Sequence, residues 1–228
     1  MPDLEEELGI EDLSRVEAPR TTKTDLEDIK RKSDENLNII KTNQHTTDKE
    51  IKRNIIVNLI GALDYYTREL ILWGLIAITQ DKFSKGKEYD TFMISIRFLK
   101  NALEQDSTNQ IIDKTEFREA IIDLLKKAPH TFQKWDSIKT GLSIILPEDE
   151  VNKVSKLTTN PAKFQVSKLK ELNDLRNNVV HHFDRDYKRQ SERNDFIRDI
   201  KKDIELIEIV IDSVHEIVST YEENEANK

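Results

Sequence analysis

The sequence predicts an all-α protein: an antiparallel helical bundle preceded by an N-terminal helical or partly disordered arm. Three observations carry this expectation. Glycine and proline are scarce, five of each in 228 residues, and Leu, Ile, Lys, Glu and Asp dominate, which suits helices better than turn-rich sheets. Apolar residues recur at helical spacing over long stretches, beginning with Ile51, Ile55, Ile56, Leu59, Ile60 and Leu63. Pro129, Pro147 and Asn160-Pro161 then cut the chain into pieces of helical length.

Taken in order, residues 1–46 read as an acidic arm and 47–228 as one helical domain. Within the arm, Leu4, Leu8, Ile10 and Leu13 suit a short amphipathic helix, and Leu26, Ile29, Leu37 and Ile40 a second, weak one. Such a segment buries little by itself, so the arm reads either as a solvated leader or as a partner-docking or autoinhibitory element. From about Thr47 to residue 80 the apolar period is sustained through Tyr66, Leu70, Trp73 and Ile76, long enough for the spine of a bundle. Further helices are expected at 90–106, 115–128, 135–145, 148–157 and 163–182. A long terminal helix over 190–222 is built on Phe196, Ile197, Ile200, Ile204, Ile207, Ile211, Val214, Ile217 and Val218.

Several chemistries are excluded or unsupported. With no cysteine there is no disulfide, no thiolate nucleophile and no cysteine-ligated zinc, and no cofactor is expected. The five glycines are isolated from one another, so the chain carries neither a phosphate-binding loop nor a dinucleotide fingerprint. Of the five histidines, His45, His130, His181, His182 and His215, none belongs to an H-E-x-x-H helix, and no metal ligand set is expected. The longest apolar run, Leu70 to Thr79, is far below the roughly 20 residues a membrane-spanning helix needs. The acidic start has no signal-peptide character, so the expected location is cytoplasmic, with no membrane partner.

Charge is unevenly spread. Residues 1–50 carry 14 acids against eight bases, a net of −6, and the whole chain is −8, leaving −2 for everything after residue 50. Residues 151–202 run the other way, with 13 Lys/Arg against seven Asp/Glu, a local +6. Such a stretch either attracts a polyanion or is an ordinary solvated face of paired charges.

At the centre of the basic stretch lies Leu172-Asn173-Asp174-Leu175-Arg176-Asn177-Asn178-Val179-Val180-His181-His182-Phe183-Asp184. Val166, Leu169, Leu172, Val179 and Val180 supply a buried stripe, with Arg176, Asn177 and His181 at polar positions beside it. Histidine and arginine suit phosphodiester chemistry. An imidazole exchanges a proton with a ribose hydroxyl near neutral pH, and a guanidinium holds a phosphate and the charge that grows on it. On one helix, however, Arg176 and His181 project about 140° apart, so a groove between two such helices, for instance across a twofold axis, is needed to combine them. On spacing alone, a capped and solvated helix end is the competing reading.

The segment Arg176-Asn177-Asn178-Val179-Val180-His181 resembles the R-x4-6-H signature of the HEPN superfamily, helical ribonuclease domains of bacterial toxin and phage-defence systems. Ala62-Leu63-Asp64-Tyr65-Tyr66 is similar to the early helix of the RiboL-PSP-HEPN subfamily, and Thr131-Phe132-Gln133 with 138–145 to its middle region. The resemblance covers roughly 50–220. It implies a metal-independent endoribonuclease acting on RNA as a homodimer, with an antitoxin or larger defence complex as a further partner. In that scheme His181 is the general acid/base, Arg176 the phosphate clamp and Asn177 an orienting residue, with His182, Asp184 and Asp64 in support. Two positions depart from the pattern: Leu175 stands where many relatives carry a second Arg, and His182 where an acid is frequent. Asp64 also reads simply as the i,i+4 partner of Arg68. A noncatalytic HEPN-like module, using the same groove for dimerisation or docking to a partner, is the alternative.

Overall fold

Asp48 starts the longest helix. Its carboxylate takes the backbone N–H groups of Glu50 (2.8 Å) and Ile51 (3.1 Å), satisfying two donors that the first turn leaves free. From there α2 runs over Lys49–Thr79. Its first half buries a stripe through Ile56, Leu59, Ile60 and Leu63, whereas from Leu70 to Ile78 nearly every side chain is buried, because helices cover it on several sides. The computed structural model describes residues 23–79, 82–91, 131–156, 165–182, 185–186, 191–192 and 199–227. The expected helices at 90–106 and 115–128, and the short one in the first residues of the arm, lie outside the described residues, apart from a single 3-10 turn at Tyr89–Thr91.

Around α2 stand α1 (Lys23–Lys41), α3 (Trp135–Ile145), α5 (Val166–His182) and α6 (Ile200–Ala226), while α4 (Glu148–Lys156) rests against α3 and α6. The described residues are therefore all-helical, apart from a two-residue antiparallel pairing of β1 (Arg185–Asp186) with β2 (Ser191–Glu192). No described helix is long and apolar enough to cross a membrane. Close approach of α3 to α2 depends on two glycines. A Cβ on Gly74 would lie 2.7 Å from the Ile145 side chain, and one on Gly141 2.5 Å from Ile71. Pro147 separates α3 from α4, whose acidic first turn (Glu148, Asp149, Glu150) and basic last turn (Lys153, Lys156) both suit the helix dipole.

The terminal helix begins later than the apolar pattern suggests, at Ile200 rather than near 190. Asp199 is its N-cap: the backbone there is non-helical and the carboxylate accepts the Lys202 N–H at 3.4 Å. Phe196 and Ile197 lie outside the described residues. Downstream, Ile204, Ile207, Ile211, Val214 and Val218 are all buried, and Phe83 wedges edge-on between Trp73 and Tyr221 with ring centroids 5.0 and 5.1 Å away.

The second half of the acidic arm is helix α1, and it lies against α2 and α6. Leu26, Leu37 and Ile40 face inward, while Asp28, Arg31, Lys32 and Glu35 pair with one another on the outer side. Two ion pairs and one carboxylate–imidazole contact cross to α6. Lys41 meets Glu208, Lys30 reaches Asp212 at 2.9 Å while also holding Asp34 at 2.5 Å, and Glu27 stands 3.8 Å from the His215 imidazole. Burial pulls Lys30 down, but the two carboxylates outweigh it and hold the ammonium above its ordinary value. For His215 burial wins over the Glu27 carboxylate, and the imidazole lies below its ordinary value. Tyr66, wholly buried 6.4 Å from the His215 ring, is driven well above the usual phenol range by burial and then by the carboxylates of Asp212, Asp34 and Glu27.

Candidate functional site

The motif helix α5 runs unbroken from Val166 through His182. Arg176 and His181 therefore sit about 140° apart around one axis, and a single α5 does not place them on one face. The side chains of His181 and His182, and all of Asp184, lie outside the described residues.

Along one face of α5, Leu169, Asn173, Arg176 and Val180 fall within about 60° of one another. Exposure rises steadily along that line. Leu169 is fully buried, Asn173 is 1% exposed, Arg176 is half-buried and Val180 is 40% exposed. The face that belongs to the core at Leu169 is thus open at Val180, about 16 Å further on at 1.5 Å per residue. This corrects one expectation. Val180 is not part of a buried stripe, because Asn173 and Arg176 occupy the inner positions before it; Val166 and Val179 are partly buried.

Arg176 is positioned by its neighbour. Its Nη1 donates to the Asn177 side-chain oxygen at 3.0 Å, so these two side chains are brought together. Its Nε is buried and has no hydrogen-bond partner among the described residues. Asn173 is a residue of the segment that the arginine–histidine spacing does not single out. Its signal is a lone amide in the inward line of an amphipathic helix, three residues before the arginine.

Asp64 has a different setting. One carboxylate oxygen accepts the backbone N–H of Phe132 at 2.6 Å, and the other holds Arg68 Nε at 2.8 Å. Arg68 in turn lies over the Phe132 ring, 5.8 Å from its centroid. The first oxygen thus ties α2 to the segment that leads into α3, and the second steadies Arg68, on α2 itself, over the ring of that segment's Phe132. Among the described residues no group of three or more His, Asp or Glu side chains could hold a metal ion.

No protein-family model, curated protein or solved structure matches the chain. The candidate chemistry lies on α5. It offers a guanidinium fixed by an adjacent amide, at the point where the helix face leaves the core, within reach of solvent and of anything that approaches from it. Charge-assisted donors so placed suit an anionic oxygen.

Proposed function

We propose that this chain is a HEPN-type, metal-independent endoribonuclease of a bacterial toxin or phage-defence system, acting in the cytoplasm as a homodimer. The observation that supports the reading most is Arg176 itself. An arginine on the core-facing line of α5, gripped at Nη1 by Asn177 where that face opens toward Val180, suits a phosphate contact better than a core-filling role. His181 follows on the same helix but on another side of it, so a second copy of α5 is needed to bring an imidazole to the arginine.

In the dimer cleft, one His181 takes the proton from the ribose 2′-hydroxyl. The freed oxygen attacks the adjacent phosphorus, and the P–O5′ bond breaks as a second acid, the other copy's imidazole, protonates the leaving oxygen. Arg176 holds the non-bridging oxygens as charge builds on them. The products are a 2′,3′-cyclic phosphate and a 5′-hydroxyl end. The HEPN-like antiparallel bundle and an antitoxin or larger defence-complex partner belong to the same proposal.

The test is cleavage of a mixed RNA substrate by the full chain in chelator, with light scattering for the mass in solution. Expected are a dimer, cyclic-phosphate ends, and no cleavage by Arg176→Ala or His181→Ala proteins of unchanged helicity. Cleavage retained by His181→Ala refutes the assignment. A wild-type protein that dimerises but cuts no RNA supports the noncatalytic module instead.

A further inference from the structure

The inward line of α5 contains two unsatisfied atoms of opposite kind. Among the described residues, Asn173 Oδ1 is a buried acceptor without a hydrogen-bond partner and Arg176 Nε–H a buried donor without one. They belong to residues three apart on a helix, whose Cβ atoms are about 5–6 Å from each other, yet the two atoms are not bonded together. Native interiors rarely leave such groups unpaired. One water that accepts from Nε–H and donates to Oδ1 satisfies both at once.

We propose that Asn173 is a positioning residue for Arg176, acting through one buried water that bridges Asn173 Oδ1 and Arg176 Nε. The guanidinium is then held at two points, Nε by way of Asn173 and Nη1 by Asn177. With Nε engaged, the side-on edge made of Nε and Nη2 is not available to a ligand. What remains is the end-on edge, Nη2 with the second proton of Nη1, so Arg176 meets the phosphodiester end-on. The functional consequence rests on the ribonuclease reading; the positioning itself does not.

Two arms test it on the full chain. In the first, the Arg176 Nε–H resonance is assigned in a nitrogen–proton spectrum by its loss in Arg176→Lys. It should exchange slowly in the wild type and in Asn173→Asp, which keeps an acceptor, and at least about tenfold faster in Asn173→Leu, since the amide bridge that shields it is gone. Asn173→Ala removes the acceptor without adding bulk and replaces the Leu variant if that protein melts early. In the second arm, misplacing the guanidinium should lower kcat for RNA cleavage by roughly ten- to a hundredfold with KM little changed, and Asn173→Asp should restore most of it. Equal Nε–H exchange in the wild type and a folded Asn173→Leu or Asn173→Ala protein overturns the proposal, and so does undiminished cleavage by either. If the wild type cuts no RNA, the ribonuclease reading fails and the exchange arm alone decides the role of Asn173.

Discussion

Asp64 separates a structural from a catalytic role most cleanly. Replacing it by alanine removes an acceptor for the Phe132 N–H at 2.6 Å and the partner of Arg68 at 2.8 Å. The first bond, a backbone donor to an ionised carboxylate, is worth about 1.5–3 kcal/mol. The second, an i,i+4 pair near the surface, adds about 0.3–0.5 kcal/mol. Arg68 keeps its place over the Phe132 ring, so part of the second contribution survives. Asp64→Ala should therefore cost about 2–3 kcal/mol, which in a domain of this size lowers Tm by roughly 4–12 °C. Asp64→Asn retains an oxygen for Phe132 and loses mainly the charge, a cost of about 1 kcal/mol. Urea and thermal unfolding followed by circular dichroism measure both variants. With the proposed ribonuclease activity as readout, any loss of RNA cleavage in Asp64→Asn should follow the unfolded fraction and vanish well below its midpoint. An Asp64→Ala protein as stable as the wild type refutes the reasoning; so does a fully folded Asp64→Asn protein with no activity, which moves Asp64 into the chemistry.

Two further predictions concern the seat of α1. Leu37→Ala, at a position 1% exposed, should cost about 2–5 kcal/mol by urea unfolding, whereas Ile39→Ala, two residues on and 68% exposed, should stay within about 0.5 kcal/mol. Equal effects would mean that α1 does not sit as described. The second prediction is a pH dependence. His215 is faced by Glu27, Lys30 and Asp34 of α1 and by the Tyr66 ring of α2, and burial sets its folded value below the unfolded one. The unfolded chain therefore binds more protons, so this contribution is complete above about pH 6.5 and is lost as the pH falls through the folded value. The urea midpoint should drop between pH 7.5 and pH 5, and drop less in His215→Leu; parallel profiles for the two proteins would show that His215 does not titrate in this way.

Much of the helical framework was legible because apolar period and punctuation agree. The spine expected from Thr47 to residue 80 is Lys49–Thr79, and 135–145 and 148–157 correspond to Trp135–Ile145 and Glu148–Lys156. The start of the last helix was not, because Phe196 and Ile197 extend the apolar pattern past Asp199, a side chain that caps a helix instead of continuing it. The inner line of α5 was misread for a related reason. Periodicity assigns Val180 to the stripe, but only packing shows that the core ends before it, with an amide and a guanidinium in the last inward places. Likewise Leu26, Leu37 and Ile40 announce a helical face in the arm, while the surface that receives it comes from α2 and from α6, far along the chain.

That separation has a consequence for how the chain is made. The seat of α1 is shared by α2, which follows at once, and by α6, which begins roughly 160 residues after Lys41. At a synthesis rate of about 5–20 residues per second, the α6 half of the seat emerges some 8–30 s after α1 itself. During that interval the paired charges of Asp28, Arg31, Lys32 and Glu35 keep one flank of the waiting helix wet. Lys30, Lys41 and Glu27 meanwhile have no Asp212, Glu208 or His215 to meet. Closure of the molecule is thus timed by the arrival of its last helix, and a nascent chain stalled before residue 200 has, among the described helices, only the α2 half of the seat for its first one.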